Sequence, residues 1–320
     1  MPARRKSSGV RVAPLKLVLP ATSANLGPAF DAAALAFALF LKVEARRAAE
    51  FSLEAHGRDV EICGAIQDHL ILTTYREVLQ SEGGEVVPLW LHLENEIPIG
   101  KGCGSSAAAR LAGIALAVHF GGLRWTDARI VGEASRREHH PDNAAACWMG
   151  GLAVARMDGD QAQIAQIVPK GSWPLLVAVP PESLSTERAR EVLPAQYSRA
   201  DAVANVQNSM LLLAALALGR GDLMASAVAD RLHQPYREPL CPLLPALRTL
   251  AAEDGVLGAA LSGAGPSVMV FLDPAGSTDQ IVRKVRSLLK RAGLTADLIS
   301  TRITSRGGCW SPGWKTGGRS

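Results

Sequence analysis

A glycine-rich segment joins a predicted strand to an alanine-rich helix, and it reads Ile97-Pro-Ile-Gly-Lys-Gly-Cys-Gly-Ser-Ser-Ala-Ala-Ala109. Its glycines Gly100, Gly102 and Gly104 allow backbone N–H groups to approach an anion without a Cβ in the way. The helix predicted over 104–120 adds unpaired N–H donors and the positive end of its macrodipole. The segment therefore favours a ligand that carries phosphate.

Two hydroxyls stand at the start of this helix. Ser105 and Ser106 are placed to reach phosphate oxygens or a magnesium ion. The segment is not a Walker A loop, because no Lys-Ser or Lys-Thr pair follows its last glycine, and its spacing alone does not make it a dinucleotide fingerprint. Taken alone, the segment favours phosphate binding, and the alternative is a glycine-rich turn before a tightly packed helix.

The remaining periodic segments predict an α+β protein with two lobes, because strands and helices do not alternate one to one as in a doubly wound sheet. The pattern restarts after Pro169, which places a boundary near residue 170. Strands are predicted over 15–19, 35–45, 87–93, 151–157, 175–179, 258–261, 267–272 and 296–304. Helices are predicted over 104–120, 126–138, 185–192, 200–219, 222–233, 243–253 and 278–291.

Basic residues are concentrated at the two ends of the chain. Residues 1–11 and 306–320 hold seven Lys or Arg and no acidic residue, so the formal charge of +4 becomes −3 without them. We expect flexible basic tails at 1–11 and 306–320, an N-terminal domain over 12–170 and a C-terminal domain over 171–305. No nucleic-acid partner is expected, although a weak contact of the tails with a polyanion is the alternative.

Composition also restricts the cellular setting. The longest uninterrupted apolar run, 32–41, has ten residues, whereas a membrane-spanning helix needs about 20. The basic N-terminus lacks the apolar core of a secretory signal. The five cysteines are odd in number and form no CxxC or Cys/His cluster, which argues against a disulfide framework or a zinc site. These features predict a cytoplasmic protein without a membrane segment.

Two further sets of residues are expected to have structural places. The apolar stretch 210–218 is expected in the core. Four histidines lack metal-ligand spacing and are expected at the surface or at sheet edges, namely His56, His92, His119 and His233.

The glycine-rich segment resembles the PxGxGLGSSAA phosphate loop of the GHMP kinases, and two further blocks occur in that family's order. Pro20-Ala-Thr-Ser-Ala-Asn-Leu-Gly-Pro-Ala-Phe-Asp31 resembles its substrate-side opening, and Leu261-Ser-Gly-Ala-Gly-Pro-Ser-Val268 resembles its second glycine-rich loop. Three ordered blocks are far more specific than one. The resemblance implies a two-lobed α+β fold, with an N-terminal lobe like ribosomal protein S5 and a ferredoxin-like C-terminal lobe.

Segments between these blocks resemble the homoserine kinase branch. His140-Pro-Asp-Asn143 followed by Gly150-Gly151 resembles its HPDN…GG segment, Ser185-Thr-Glu-Arg-Ala-Arg190 its STxxAR stretch, and His233-Gln-Pro-Tyr-Arg237 its (H/E)xPYR stretch. The resemblance implies ATP-dependent phosphorylation of the side-chain hydroxyl of L-homoserine to O-phospho-L-homoserine in threonine biosynthesis. Members of the branch are often homodimers, and a homodimer is expected here.

Homoserine carries a carboxylate, an ammonium and a hydroxyl, and the matched segments offer partners for each. The planar guanidinium fork suits a carboxylate, so Arg190 and Arg237 are the carboxylate candidates. Asp31, Asp142 and Asn25 are the candidates for holding the ammonium and orienting the hydroxyl.

The catalytic candidates are Asn25, Asp142 and Asn143, the last as a neighbour of the reacting oxygen. The preferred role for Asp142 is to orient the substrate, and its second candidate role is to act as a base. This order follows the family, whose members are thought to work without a dedicated base.

By the same resemblance the expected nucleotide is ATP and the expected ion is Mg²⁺. Its protein ligands are predicted to be Ser106 and a glutamate of the following helix, for which Glu138 is the first candidate and Glu133 the fallback. The nucleotide-binding candidates are Pro98, Gly100, Lys101, Gly102, Cys103, Gly104, Ser105, Ser106, Ala107, Ala108, Gly263 and Gly265.

The sequence departs from the family pattern at several positions. Ala29 and Ala34 replace common glycines, and Cys103 replaces the leucine of the loop. His139 stands where glycine usually precedes HPDN, and His69 stands where the family often has asparagine at a position associated with adenine. The change at His69 concerns the preference for a nucleotide, and the change at His139 concerns the loop on the magnesium side of the site. No residue assigned to phosphate or carboxylate binding is lost.

Two other functions fit the same pattern. One is a GHMP-type kinase for another small alcohol or amino acid, and the other is a catalytically silent relative that senses a metabolite or ATP. Retention of Arg190 and Arg237 with the HPDN segment favours an α-amino acid. The retained phosphate-loop serines and magnesium ligands favour an active enzyme.

Overall fold

A computed structural model describes residues 12–250 and 252–311, without the side chains of residues 253 and 309–311. Up to residue 167 the elements are β1 (Leu15–Asn25), β2 (Ala29–Arg47), β3 (Ser52–Gly57), α1 (Val60–Gly64), α2 (Leu70–Ser81), β4 (Leu89–Asn95), α3 (Ser105–Gly121), α4 (Asp127–Glu138), α5 (Asp142–Met149), β5 (Leu152–Asp158) and β6 (Gln161–Ile167). They are followed by β7 (Pro174–Val179), α6 (Thr186–Glu191), α7 (Arg199–Leu218), α8 (Met224–Ala227), α9 (Gln234–Arg237), α10 (Leu243–Leu247), β8 (Val256–Leu261), β9 (Val268–Leu272), α11 (Thr278–Arg291), β10 (Asp297–Arg302) and β11 (Cys309–Ser311).

The first sheet is organised around the long strand β2. Its strand order is β11-β1-β2-β4-β3, and β5 pairs with both β2 and β6. The early part of β2 pairs with β5 and its later part pairs with β4, in addition to its pairing with β1. In β4, Leu89, Leu91 and Leu93 are buried, as expected for a strand with one face on the core.

The alanine-rich helix α3 lies inside the first lobe, and its side chains are buried on nearly all sides. Helices α2 and α4 pack against it. The approach of α2 is so close that a Cβ on Gly113 would lie 2.5 Å from the carbonyl oxygen of Ile71. Small side chains therefore allow α3 to occupy the layer between the sheet and the outer helices.

The second sheet is fully antiparallel, with strand order β10-β7-β9-β8. One of its faces packs against α10 and α11 in a separate apolar cluster. The other face joins the core of the first lobe, where Trp173 contacts Phe271 edge to face. Strand β6 ends and β7 begins on either side of residue 170, where the domain boundary is predicted.

Two of the predicted helices of the second lobe are longer than the observed ones. The helix expected over 222–233 ends at residue 227, because the buried carboxylate of Asp230 accepts the N–H groups of Leu232, His233 and Gln234 and turns the chain. The helix expected over 243–253 is reduced to α10 and a separate 3-10 turn, Ala252–Asp254.

The sequence patterns did not predict α2, α5, β3 or β6. The expected tail at 306–320 is ordered at its start, because β11 pairs with β1. Gly307 and Gly308 allow the chain to pass close to α5, where a Cβ on Gly307 would lie 2.3 Å from the carbonyl oxygen of Trp148. The expected tail segments 1–11 and 312–320 lie outside the described residues.

Helix α7 does not have the environment predicted for it. Met210 is 61% exposed and Leu218 is 63% exposed, so the prediction of a core segment over 210–218 is wrong at these residues. By length and composition α7 could cross a membrane. In the protein, 22% of its most apolar 18-residue stretch is buried. Asn205 and Ser209 interrupt its apolar sequence, which is why a search for uninterrupted apolar runs does not detect it.

Candidate active site

The glycine-rich segment forms the turn between β4 and α3, as the sequence predicts. Gly100, Gly102 and Gly104 all have left-handed backbone conformations, with φ values of 69°, 75° and 72°. A Cβ on Gly102 would lie 2.2 Å from the carbonyl oxygen of Ser262, and one on Gly104 would lie 1.9 Å from Thr22 Oγ1. Glycine is thus required here both by the backbone conformation and by close packing.

Hydrogen bonds tie the three matched blocks into one unit. Ser262 Oγ donates to the carbonyl of Gly102 at 2.7 Å, which joins the second glycine-rich loop to the first. Asn25 Nδ2 donates to the carbonyl of Gly263 at 2.8 Å, and the N–H of Gly263 donates to the carbonyl of Ala24 at 3.1 Å. The end of β1 and both loops therefore form one rigid wall.

A cavity opens on this wall, and most of the predicted site residues line it. It also contains Phe30, His140, Leu184 and Thr186, to which the sequence assigned no role. The predicted residues that line it are Asn25, Asp31, Gly100, Gly102, Gly104, Ser105, Ser106, Glu138, Asp142, Asn143, Arg190, Arg237, Gly263 and Gly265.

The other predicted nucleotide-binding residues have their side chains elsewhere. Lys101 Nζ donates to the carbonyl of Pro181 at 2.5 Å, and Lys101 and Pro98 line a different cavity. Cys103, Ala107 and Ala108 are buried in the core, and burial raises the pKa of the Cys103 thiol to about 12. Cys103, Ala107 and Ala108 can therefore offer a ligand only their backbone groups.

Ser106 and Glu138 meet at the start of α3. Ser106 Oγ donates to Glu138 Oε1 at 2.6 Å, and Arg110 Nε donates to the same oxygen at 2.5 Å. A hydroxyl and a carboxylate are the hard oxygen donors that Mg²⁺ prefers, so this pair fits that ion. Sequence reasoning missed Arg110, which is one helical turn after Ser106 and holds Glu138 in place.

The fallback glutamate has a different environment. Glu133 accepts hydrogen bonds from Arg136 and Arg137 on its own helix at 2.7 to 3.2 Å. Arg137 also pairs with Glu77. Glu133 does not line the cavity, so the geometry favours Glu138.

The HPDN segment leads into α5, which begins at Asp142. Asp142 is 1% exposed, and its Oδ1 accepts from the N–H of Asn143 at 2.6 Å and pairs with His140 Nδ1 at 2.8 Å. Burial lowers the pKa of His140, but the hydrogen bond and charge of Asp142 outweigh burial and raise it overall. Thr22 Oγ1 donates to Asn143 Oδ1 at 2.7 Å and fixes that amide.

Opposite Asp142 lies an ion pair formed by two predicted substrate residues. Arg190 Nη2 donates to Asp31 Oδ1 at 2.7 Å, and both side chains are about one-third exposed. The N–H of Asp31 donates to Asn25 Oδ1 at 3.0 Å. One ligand atom from each of Asp31, His140 and Asp142 lies within 4.8 Å of the others, which makes this corner suitable for a small cation.

Arg237 is 1% exposed and is held by the fold. Its Nε donates to the carbonyl of Ala189 at 2.9 Å, and its Nη1 donates to His233 Nδ1 at 3.0 Å. Burial and the nearby charge of Arg190 lower the pKa of Arg237 to about 10. Among the described residues, Nε and Nη1 have these protein partners and Nη2 has none, so we expect a ligand to use Nη2.

The expected surface position of His233 is wrong, since its side chain is fully buried. Burial lowers the pKa of His233 to about 4, so the ring is neutral at neutral pH. Nε2 then donates to the carbonyl of Gly27 at 2.7 Å while Nδ1 accepts from Arg237. The sequence signal was available, because His233 begins the stretch that ends with Arg237.

A second, mainly apolar cavity adjoins the first and shares Gly100, Ser105 and Ser106 with it. His69 lines this cavity, and the buried Nδ1 of its ring has no hydrogen-bond partner among the described residues. The apolar residues that line it include Leu41, Ile62, Leu70, Ile71, Leu93, Ile97 and Ile99. Together the two cavities form a groove with an apolar end, an anion-binding middle and a charged end.

Comparisons with known proteins agree with this geometry. Residues 69–151 match the GHMP kinases N terminal domain and residues 212–291 match the GHMP kinases C terminal domain. A homoserine kinase of Solibacter usitatus is 42% identical over 294 residues, which cover 91% of this chain and 95% of that protein. A homoserine kinase of a Synechococcus species is 37% identical over 263 residues, 81% of this chain and 86% of that protein.

Among solved structures, a crystal structure of homoserine kinase from Cytophaga hutchinsonii superposes with a TM-score of 0.78. It is 22% identical, and the match covers 97% of this chain and 100% of that one. This likeness concerns the fold, and it confirms the expected two-lobed α+β architecture.

Proposed function

The chain belongs to the GHMP kinase family and, within it, to the homoserine kinases, and on this premise we propose that the cavity between the two glycine-rich loops binds L-homoserine beside ATP. The reaction transfers the γ-phosphoryl group of ATP to the side-chain hydroxyl of homoserine, on the route to threonine. The observation that carries the assignment of the cavity is that Arg190, Arg237 and the phosphate loop line it together.

The nucleotide is proposed to lie along the groove. Its phosphates would face the N–H groups at the start of α3, where the left-handed glycines expose the backbone and the helix dipole favours negative charge. The base would occupy the adjoining apolar cavity, which begins at Gly100, Ser105 and Ser106. In this arrangement the γ-phosphate points toward Asp142 and Asn143.

Ser106 and Glu138 are proposed to hold Mg²⁺, because their oxygens already lie together at the phosphate end. Bound magnesium neutralises charge on the transferring phosphoryl group. Arg110 keeps Glu138 directed toward Ser106 and limits its rotation.

The homoserine carboxylate is proposed to bind between the two arginines. Burial and, after it, the positive charge of Arg190 lower the pKa of Arg237, as expected for two cations that face the same cavity. A carboxylate accepting from Arg237 Nη2 and from Arg190 would relieve this repulsion and gain charge-assisted hydrogen bonds. The rigid anchoring of Arg237 by Ala189 and His233 would fix the position of that carboxylate.

The ammonium is proposed to lie near Asp31 and Asp142, the corner that gathers negative charge. Asp142 is held on one oxygen by His140 and by the N–H of Asn143, an arrangement suited to orienting the substrate. Asn143 would then lie next to the reacting hydroxyl. Positioning supplies much of the acceleration in phosphoryl transfer, so a strong base is not required.

We further propose that the enzyme is a cytoplasmic homodimer that acts without a nucleic-acid or membrane partner. Helix α7 has the length to span a membrane. However, Asn205 Nδ2 and Ser209 Oγ on this helix donate to the carbonyl of Pro28 at 2.7 and 2.8 Å. These contacts anchor α7 to the substrate-binding lobe and support its place in a water-soluble fold.

An assay of ADP release tests the substrate assignment. The purified chain is supplied with ATP, Mg²⁺ and, in separate reactions, homoserine, threonine, serine and mevalonate. We expect magnesium-dependent ADP release with the highest kcat/KM for homoserine. Absence of release with every substrate, or a higher kcat/KM for mevalonate, would contradict the proposal.

A further inference from the structure

Phe30 lies in a bulge of β2 at the homoserine end of the cavity. Two consecutive residues at the end of β1 pair with residues 34 and 29 of β2, so residues 30–33 bulge out of that pairing. Within the bulge, Asp31 has a left-handed backbone conformation with a φ of 54°. The bulge breaks the alternation of a regular strand, and the adjacent residues Phe30 and Asp31 both line the cavity.

The ring of Phe30 contacts both arginines that are proposed to bind the homoserine carboxylate. The guanidinium carbons of Arg190 and Arg237 lie over the ring, each 5.4 Å from its centroid. Within about 6 Å, a guanidinium is attracted by the electron density of the ring face. The same ring stacks on His233, with the two centroids 5.3 Å apart and the planes 27° from parallel. Phe30 therefore packs against both arginines and against the histidine that holds one of them.

The surroundings of Arg237 explain why an aromatic ring suits this position. Its partners among the described residues are the carbonyl of Ala189, the neutral ring of His233 and the face of Phe30, and none of them is a carboxylate. A buried cation without a counter-ion is costly. The ring of Phe30 offsets part of that cost without occupying the place of an anion. A carboxylate side chain at this position would instead pair with the arginine and block the substrate.

Arg190 depends on Phe30 more than Arg237 does. Its guanidinium has Asp31 as hydrogen-bond partner and the ring of Phe30 as π partner, and its side chain is 36% exposed. Arg237 is buried and is held by two hydrogen bonds of its own. Without the ring, Arg190 has room to turn toward solvent, whereas Arg237 stays in place.

We propose that Phe30 is a positioning residue for homoserine, whose ring face holds Arg190 beside Arg237 with their free N–H groups open to the substrate carboxylate. This inference rests on the proposed function and deepens it. The two like charges repel each other, and a ring that attracts both cations keeps them together before the substrate binds. Arginines that are already in place bind a carboxylate more tightly than arginines that must first be ordered.

The alternative role for Phe30 is an apolar surface under the methylene groups of homoserine. Fluorine separates the two roles, because fluorine atoms on the ring edge withdraw electron density from the face while the ring keeps its shape and apolar character. The positioning role requires an electron-rich face, and the apolar role does not.

Fluorinated residues at position 30 test the proposal. Mono-, di- and trifluorophenylalanine are placed there in the full chain by stop-codon suppression, and homoserine-dependent ADP release is measured. We expect the KM for homoserine to rise with each fluorine and to reach roughly 3–10 times the wild-type value, the scale of losing one cation–π contact. The kcat and the KM for ATP should stay within about twofold of the wild type. A homoserine KM that the trifluoro variant leaves unchanged or lowers overturns the proposal and assigns the ring to the apolar role.

Phe51 provides the matched control. Arg76 lies over its ring, with the guanidinium carbon 4.4 Å from the centroid, and Phe51 does not line the cavity. Trifluorophenylalanine at position 51 should therefore leave the homoserine KM at the wild-type value. An equal rise from positions 30 and 51 would reflect a general loss of structure and would overturn the positioning role.

An Arg190→Met background tests whether Phe30 acts through Arg190. In this background, trifluorophenylalanine at position 30 should change the homoserine KM by less than about twofold, because the side chain that the ring positions is already gone. The same rise as in the wild-type background overturns the proposal.

The wild-type assay separates the failure of this inference from the failure of the proposed function. Wild-type ADP release with homoserine, together with a KM that fluorination at position 30 leaves unchanged, overturns the role of Phe30 and leaves the proposed function in place. A wild type that releases no ADP with homoserine overturns both.

Discussion

The two ends of the proposed active site are built in different ways. At the phosphate end, one continuous segment supplies glycine backbone and a helix start. At the homoserine end, side chains from β1, β2, α5, α6 and α9 meet and hold one another, as in the pair of Arg190 with Asp31 and the contact of Arg237 with His233. The phosphate end should therefore tolerate most side-chain changes, whereas the homoserine end should not.

The largest expected effect is an exception at the phosphate end. Glu138→Ala should lower kcat by roughly 10²–10³-fold, the usual cost of removing a group that stabilises transition-state charge, and change the KM for homoserine little. Steady-state kinetics across magnesium concentrations measure both. Glu133→Ala on the same helix is the control and should keep near-normal turnover. Equal turnover of the two variants would remove Glu138 from the magnesium site.

At the homoserine end, Arg237→Lys should raise the KM for homoserine by roughly 10–100-fold, because a lysine ammonium cannot reproduce the planar fork held by Ala189 and His233. The KM for ATP should stay close to its normal value. Arg188→Lys, an exposed arginine of α6 paired with Glu191, is the matched control. A normal homoserine KM for Arg237→Lys would exclude this arginine from substrate binding.

The same buried cluster predicts a pH dependence of stability. The pKa of His233 is about 4 in the folded protein, below its ordinary value of about 6.5, so the unfolded state takes up a proton first as pH falls. Between pH 7 and pH 5 this histidine should remove roughly 1–2 kcal/mol from the free energy of unfolding. Below pH 4 the His233 ring is protonated in both the folded and the unfolded state, and its contribution to the free energy of unfolding decreases no further.

Urea unfolding of the wild type and of His233→Gln at several pH values measures this loss. The amide can replace both ring hydrogen bonds without titrating, so the variant should lose less stability between pH 7 and pH 5. His56→Gln, at an exposed histidine, should behave as the wild type. Identical pH profiles for wild type and His233→Gln would show that His233 does not titrate as inferred.

The smallest effect is expected for Lys101→Ala. Lys101 lies inside the phosphate loop, but its ammonium bonds to the carbonyl of Pro181 and not to the cavity. We expect kcat/KM for ATP to change by less than about threefold, the scale of a surface contact. A loss of tenfold or more would mean that Lys101 turns toward the phosphates when ATP binds.

The sequence predicted those parts of the fold whose signal is local. The strand before the glycine-rich loop, the alanine-rich α3 and the amphipathic α11 follow periodic patterns, and their observed bounds lie close to the predicted ones. The prediction of a helix over 222–233 was wrong because Asp230, a single buried carboxylate, competes for the backbone N–H groups. These are local hydrogen bonds from a side chain to the backbone, and helix propensity and periodicity do not reveal when such bonds replace the helix.

In the candidate site, too, some features follow from local sequence patterns and others do not. The three ordered blocks and the matched segments between them identified the family and most of the residues that line the cavity. They did not reveal that Arg110 holds Glu138, that His233 is buried against Arg237, or that the side chain of Lys101 faces Pro181. The separations of Arg110 from Glu138 and of Lys101 from Pro181 along the chain carry no sequence signal. The four-residue spacing of His233 and Arg237 does carry one, which the prediction of a surface position for His233 did not use.

By itself, the sequence determined the chemistry of this protein, because glycine spacing, helix starts and charged residue types decide which ligand groups can be bound. Only the tertiary structure decided which charges are buried, which carboxylate meets Ser106, and that α7 leaves an apolar stripe exposed. Burial and pairing depend on neighbours that are distant along the chain, and the free energy of a charged or apolar side chain is set by those neighbours.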